Sequence, residues 1–212
     1  MRVPAGNVVL EGDLSIPRDA VGMVLFAHGS GSSRHSVRNR LVAAALREAH
    51  LGTLLIDLLS ADEEVIDIRT TRLRFDIALL AERLLHAMQW LEEQEAAARL
   101  PIGLFGASTG AAAALVAAGH RPRSVGAVVS RGGRPDLAEA LGEVQAPTLL
   151  IVGGNDPQVE AWNRQAMKAL RCEKELVIVP RASHLFEEPG ALDEVSRLAA
   201  DWFRSHLAVA GE

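Results

Sequence analysis

The sequence predicts an α/β fold in which a mostly parallel sheet lies between two layers of helices. Six short runs are hydrophobic almost throughout, as expected for parallel strands that are covered on both faces. These runs are residues 21–28, 52–58, 101–106, 124–130, 146–154 and 175–180. Helical patterns separate the runs, and this alternation favours right-handed crossovers between parallel strands.

Two helical patterns are clear because their apolar residues recur at steps of three and four and form one stripe. The longer pattern spans residues 72–93 and contains Leu73, Ile77, Leu80, Leu84, Met88 and Leu91. The last helix repeats the pattern with Leu192, Val195, Ala199 and Trp202. In contrast, the opening stretch NVVLEGDLSIP predicts an antiparallel hairpin at one edge of the sheet.

Neither an internal repeat nor a linker interrupts the pattern, so we expect one domain that spans residues 1–212. The connection between the runs at 124–130 and 146–154 leaves room for one short helix, and no cap domain is expected. The acidic run at 61–67 is interpreted as a solvated loop.

The composition is that of an ordinary soluble globular protein, with 49% hydrophobic and 23% charged residues. A net charge of −5 with scattered basic residues argues against a nucleic-acid partner. We find neither a secretory signal nor an apolar stretch of about 18 residues, so we expect a cytoplasmic protein without a membrane partner. The single cysteine, Cys172, excludes an internal disulfide and a multi-cysteine metal site.

Ser108 is the first candidate for chemistry, because ligands of open parallel sheets bind beyond the carboxyl ends of the strands. It lies in FGASTGAAAA, between the hydrophobic run at 101–106 and an alanine-rich helix. A strand that enters a helix through G-x-S-x-G is the setting of a nucleophile elbow. Gly106 and Gly110 supply the small neighbours that this sharp turn needs. The context therefore predicts Ser108 as a nucleophile.

A serine hydroxyl needs a base that a third group orients, and in this fold the chain order is serine, acid, histidine. His184 follows the last predicted strand and is the predicted base, whereas His206 is interpreted as structural or solvated. Asp156 directly follows the preceding strand and is the predicted acid. Asp136 is the rival acid, although its position also suits the N-cap of a short helix.

The glycine-rich loop HGSGSSRHS, residues 28–36, is the predicted second half of an oxyanion hole. It lacks the phosphate-binding patterns G-x-x-x-x-G-K-[ST] and G-x-G-x-x-G. An elbow fold needs one N–H from this loop and one from the residue after the nucleophile. We therefore expect the N–H groups of Ser30 and Thr109 to be the two oxyanion donors, with the N–H of Gly31 as the next candidate in the loop.

Five motifs, in this order, carry a resemblance to a known family: AHGSGSSRHS, FGASTGAAAA, SRGGRPDLA, LLIVGGNDP and ASHLFEEPG. Over nearly its whole length the chain resembles an α/β-hydrolase of the dienelactone hydrolase-like group. The resemblance implies Ser108 as nucleophile, Asp156 as acid and His184 as base, and it implies that no cofactor is needed. Dienelactone hydrolases proper carry a cysteine nucleophile where this chain has serine, which favours a serine carboxylesterase.

The expected substrate is therefore a small carboxylic ester or lactone, cleaved through an acyl-enzyme. Two alternatives stay open at this point: acyl transfer to an acceptor other than water, and a binding module that has kept the fold without activity. Similar modules also occur attached to phosphoribosyltransferase domains, so the chain is also compatible with a role beside another enzyme.

Two arginines suggest a substrate charge. Arg131 leaves its predicted strand at the ligand-binding edge, and Arg34 lies in the predicted oxyanion loop. A guanidinium suits two-point recognition of a carboxylate, and the group that the chain resembles includes enzymes acting on acidic lactones. The hypothesis is that Arg131, together with Arg34, binds substrates with a free carboxylate. In the alternative, Arg131 pairs with Asp136 or Asp57 and only shapes the loop.

Overall fold

A computed structural model describes residues 1–208 of the chain. Its strands are β1 (Arg2–Ala5), β2 (Val8–Ser15), β3 (Gly22–Ala27), β4 (Leu51–Ile56), β5 (Ile102–Ala107), β6 (Val125–Arg131), β7 (Thr148–Gly153) and β8 (Lys174–Val179). Its helices are α1 (Val37–Glu48), α2 (Ala61–Thr70), α3 (Ile77–Glu92), α4 (Thr109–His120), α5 (Pro157–Ala169) and α6 (Ala191–Leu207). Short 3₁₀ turns occupy Leu73–Phe75, Pro135–Leu137 and Leu141–Glu143.

The strands form one eight-stranded sheet in the order β1-β2-β4-β3-β5-β6-β7-β8. Strands β3 to β8 are parallel to one another, whereas β1 and β2 form an antiparallel hairpin that joins the sheet through β4. This architecture confirms the predicted mostly parallel sheet with its hairpin at one edge. The connection from β6 to β7 contains two short 3₁₀ turns and no cap domain, as the sequence predicted.

Helices cover both faces of the sheet. On one face, α1 packs against α6 and β4, and α6 packs against β6 and β3, with Val42, Leu46 and Phe203 among the buried residues. On the other face, α3 and α4 pack against each other and bury Leu84 and Leu115. Because the strands between these layers are parallel, the loops that follow β3, β5, β6, β7 and β8 meet at one edge of the sheet.

Two local predictions were wrong. The helix expected from residue 72 begins at Ile77, because the Asp76 carboxylate caps it by accepting a hydrogen bond of 3.0 Å from the N–H of Leu79. The acidic run interpreted as a loop is helix α2. Its start is a capping box, in which Ser60 and Glu63 each accept a hydrogen bond from the other's backbone N–H.

Candidate active site

Ser108 lies on a strained turn between β5 and α4. Its backbone angles, φ 51° and ψ −120°, belong to a region that residues with a side chain rarely adopt. Two backbone hydrogen bonds join this turn to β6 and the loop that follows it: the Ser108 N–H donates to the Arg131 carbonyl at 3.2 Å, and the Arg134 N–H donates to the Ser108 carbonyl at 3.1 Å. The turn is therefore tied to the loop after the neighbouring strand β6.

The two glycines that flank Ser108 are required by close packing. A Cβ atom at Gly106 would lie 2.3 Å from the Cα of Ala111, and one at Gly110 would lie 2.2 Å from the carbonyl oxygen of Ala27. Real Cβ contacts are not this short, so neither position accepts a side chain without a backbone shift. The small residues thus let α4 begin directly against β3 and β5.

Asp156 and His184 come together at the same edge of the sheet. Asp156 follows β7 and precedes α5, and His184 lies in the loop after β8. The His184 Nδ1 donates to the Asp156 Oδ2 at 2.7 Å, which fixes the tautomer and leaves Nε2 as the basic nitrogen. The Asp156 side chain is mostly buried, with 16% of its surface exposed. This pair has the geometry of an oriented general base.

The rival residues are engaged elsewhere. Asp136 forms two hydrogen bonds with the guanidinium of Arg134, at 2.8 and 2.9 Å, and it does not cap a helix. His206 lies on α6, where its Nδ1 donates to the Trp202 carbonyl at 2.8 Å. Neither residue lines the cavity that contains Ser108.

Ser108 and His184 line one cavity of about 240 Å³, together with Gly29, Ser30 and Arg131. Within the described chain, no hydrogen bond joins the Ser108 hydroxyl to His184. The fold thus brings the predicted nucleophile and the predicted base to one cavity, with no hydrogen bond between them. Such contacts are often long before substrate binds, so this geometry is compatible with catalysis.

Ser30 and Thr109 also come together, but the predicted oxyanion donor of Ser30 is bonded to the side chain of Thr109. The Ser30 N–H donates a 2.9 Å hydrogen bond to the hydroxyl of Thr109, which is almost fully buried. The Thr109 N–H occupies the first position of α4, where helix amides have no intrahelical acceptor. Of the two predicted oxyanion donors, the Thr109 N–H therefore lies at a helix terminus without an intrahelical acceptor. The Ser30 N–H, in contrast, already donates to the Thr109 side chain.

His28 fixes the other end of the same peptide group. Its Nδ1 donates to the Gly29 carbonyl at 2.9 Å, and its Nε2 accepts from the N–H of Leu58 at 3.0 Å. Burial lowers the pKa of His28, which favours the neutral ring that this pair of hydrogen bonds requires. The Gly29–Ser30 peptide is thus held through its carbonyl by His28 and through its N–H by Thr109.

Arg131 lies at the end of β6 and lines the cavity, with 7% of its surface exposed. Its Nε and Nη1 have no hydrogen-bond partner among residues 1–208. Burial, and to a lesser extent the positive charge of Arg38, lowers the pKa of Arg131 to about 10, so the side chain is still a cation at neutral pH. The structure contradicts the alternative pairing of Arg131 with Asp136 or Asp57, because both carboxylates bind other arginines.

Arg34 lies outside this cavity. Its guanidinium and its backbone N–H both bind the carboxylate of Asp57, at the end of β4. Instead, Arg38 lines the cavity beside Arg131. The sequence did not single out Arg38, because an arginine in the first turn of a helix usually reaches into solvent.

Other chemical features are sparse in the described part of the chain. No group of three His, Cys, Asp or Glu side chains there is arranged to hold a metal ion, and no helix there has the length and apolarity needed to cross a membrane. The half-buried Cys172 lies near the amino ends of the strands, opposite the cavity, with its Sγ 3.7 Å from the Thr148 hydroxyl.

Known proteins resemble this chain in sequence and in fold. The sequence profile of the dienelactone hydrolase family matches residues 61–208. A crystal structure of a dienelactone hydrolase from Anabaena variabilis is 60% identical, with a TM-score of 0.96 over 98% of this chain and 96% of that one. A serine hydrolase without lid from Xanthomonas campestris shares the fold, with 22% identity and a TM-score of 0.75 over 100% and 95% of the two chains.

Two curated relatives, each a putative phosphoribosyl transferase from a strain of Mycobacterium tuberculosis, are 54% identical over the whole of this chain. The match covers 47% of each relative, so the chain spans about half the length of these proteins. The similarity therefore concerns only one part of each of these longer relatives.

Proposed function

The chain belongs to the dienelactone hydrolase family, and we propose that it is a serine carboxylesterase that cleaves small carboxylic esters or lactones. The observation that supports this most directly is the 2.7 Å hydrogen bond between Asp156 and His184, because His184 lines the same cavity as the strained Ser108. A serine on such a turn, beside an oriented imidazole, is the arrangement that acyl transfer needs.

In the proposed mechanism, the Ser108 oxygen attacks the ester carbonyl while the Nε2 of His184 takes the hydroxyl proton. Asp156 keeps the imidazole in the required tautomer and stabilises the imidazolium that forms. Collapse of the tetrahedral intermediate breaks the ester C–O bond, and the leaving alcohol takes the proton from His184. Water then attacks the acyl-enzyme by the same route and releases the acid.

The negative charge that develops on the carbonyl oxygen needs two N–H donors, and we assign these to Thr109 and Ser30. The dipole of α4, which begins at Thr109, adds to this stabilisation. Because the Ser30 N–H donates to the Thr109 hydroxyl in the structure, it must exchange that acceptor for the oxyanion during the reaction.

A fluorophosphonate probe tests the assignment, because it reacts with an activated serine. We expect the purified protein to be labelled at Ser108, as located by mass spectrometry of its peptides, and Ser108→Ala to remain unlabelled. Equal labelling of the variant, or no labelling of the folded protein, would show that the proposal is wrong. Adding an alcohol to an ester assay and analysing the products then separates hydrolysis from acyl transfer.

A second possibility is a module that supports another enzyme without reacting itself. The observation that favours it is that relatives of twice the length carry the name of a transferase. Absence of labelling in a protein whose fold is intact would support this function instead. We also propose a cytoplasmic location. A chain with one cysteine forms no internal disulfide, so its fold does not depend on an oxidising compartment.

A further inference from the structure

We propose that one wall of the active-site cavity, formed by Arg131, Arg38 and the amino end of α1, binds a phosphate group carried by the substrate. The inference rests on the proposed esterase function and names the substrate class of the same cavity. The bond that breaks is still the carboxylic ester C–O bond, to which water adds. The phosphate ester stays intact and serves to hold the substrate in place.

The first support is the environment of Arg131. A buried cation is costly unless an anion or good hydrogen-bond acceptors compensate it. In the described residues, the Nε and Nη1 of Arg131 have neither, and its backbone carbonyl bonds directly to the Ser108 N–H. An anionic group on the substrate would supply the missing partner next to the nucleophile.

The second support comes from α1, which reaches the same cavity through its first turn. Arg38 binds Glu187 through Nη1 at 3.1 Å, while its Nε is buried without a partner in residues 1–208. Ser36 caps the helix and, like Arg38, lines the cavity. The amino end of a helix of this length carries partial positive charge and free N–H groups, which favour an anion.

The third support is the charge balance of the cavity. It is lined by two arginines and, in the described part of the chain, by no aspartate or glutamate. Glu187 already occupies the Nη1 of Arg38, so the donors that remain are the Nε of Arg38, the Nε and Nη1 of Arg131 and the helix end, whereas a carboxylate offers one charge and two oxygens. A phosphate monoester carries a charge of about −1.5 to −2 and three acceptor oxygens, so it matches this set of donors better.

Three esters with the same acyl group and the same spacer test the proposal: one ends in a phosphate, one in a carboxylate and one in a neutral methyl group. For the wild-type protein we expect kcat/KM to be highest for the phosphate ester and lowest for the neutral one. Charge-assisted hydrogen bonds predict a ratio between these two of about ten to a hundred. In Arg131→Met this ratio should fall to near one, and Arg131→Lys should retain part of it.

Arg164→Met is the matched control, because Arg164 pairs with Glu160 on the exposed face of α5. It should leave the ratio unchanged. A wild-type ratio near one, or an Arg131→Met ratio equal to that of the wild type, would overturn the subsite. A preference for the carboxylate ester over the phosphate ester would overturn the phosphate assignment.

A binding measurement separates this inference from the esterase proposal and does not depend on turnover. Inorganic phosphate should raise the Tm of the wild-type protein and should raise that of Arg131→Met less. The same result in a protein that hydrolyses no ester would support the subsite and contradict the esterase proposal. If phosphate shifts both Tm values equally, or neither, while esters are hydrolysed, the subsite is wrong and the esterase proposal stands.

Discussion

The backbone N–H of Ser30 donates a 2.9 Å hydrogen bond to the side-chain hydroxyl of Thr109. This contact joins the loop after β3 to the first residue of α4, which directly follows Ser108, the proposed nucleophile. The carbonyl of the same peptide group accepts a hydrogen bond from His28. The peptide that we assign to the oxyanion hole is therefore fixed at both ends, and its donor already has an acceptor before substrate arrives.

Thr109→Val tests the role of that acceptor, because valine keeps the shape of threonine and lacks the hydroxyl. The Ser30 N–H then loses its partner in the free protein, and we expect the free energy of unfolding to fall by about 1 kcal/mol. The oxyanion no longer competes with the hydroxyl, so kcat/KM should stay equal or rise up to about fivefold. Urea unfolding and initial rates on a neutral ester measure the two effects.

Thr109→Ser retains a hydroxyl and is the control, expected to stay close to the wild type in both measurements. A tenfold or larger loss of kcat/KM in the valine variant would contradict this view. It would mean that the hydroxyl itself stabilises the transition state.

Asp156→Asn should remove most of the activity while leaving the fold intact. The amide can donate to His184 Nδ1 and so favours the tautomer with its proton on Nε2, which is unable to act as base. We expect kcat to fall by about 10³ to 10⁴. Asp136→Asn is the control, since Asp136 binds Arg134 and should leave kcat within a factor of about two. Comparable losses in both variants would contradict the assignment of Asp156.

The predictability of this site from sequence differs between its parts. Ser108, Asp156 and His184 each follow a hydrophobic run, and the rule that parallel strands end at one edge is enough to bring them together. The start of α2 was missed, although Ser60 and Glu63 have the spacing of a capping box.

The positions of the arginine side chains depend on tertiary contacts that cannot be inferred from the sequence pattern. Arg34 and Arg38 are four residues apart, and which of them reaches the cavity is decided by the start of α1 and by Asp57, which directly follows β4. The Ser30–Thr109 contact likewise joins residues 79 positions apart. Such pairings arise from tertiary packing, so local pattern and propensity do not specify them.

Gly110→Ala should destabilise the fold strongly. The added methyl group would lie 2.2 Å from the backbone carbonyl of Ala27, which belongs to a buried strand and has no room to move. We expect a loss in the free energy of unfolding of about 3 kcal/mol or more, or no folded protein. Gly142→Ala is the control, because its nearest neighbour would be 3.6 Å away, and it should change stability by less than about 1 kcal/mol. Similar stability of the two variants would contradict the packing of α4 against β3.

Stability should fall in mild acid because of His28. Burial lowers the pKa of this residue in the folded protein below its ordinary value of 6.5, so below that pH the unfolded chain binds a proton more readily than the folded one. Unfolding is then favoured as pH decreases, and the stability contributed by the neutral ring is fully present only above pH 6.5. Protonation would also remove the acceptor that Nε2 offers to the Leu58 N–H.

His28→Gln removes this titration while keeping a polar side chain at the position. Urea unfolding at pH 7.5 and at pH 5.5 should show a larger loss of stability for the wild type than for the variant. The other histidines are common to both proteins, so their contribution cancels in the comparison. An equal loss in the two proteins would mean that protonation of His28 is not linked to folding, and that the Gly29–Ser30 peptide does not depend on a neutral ring.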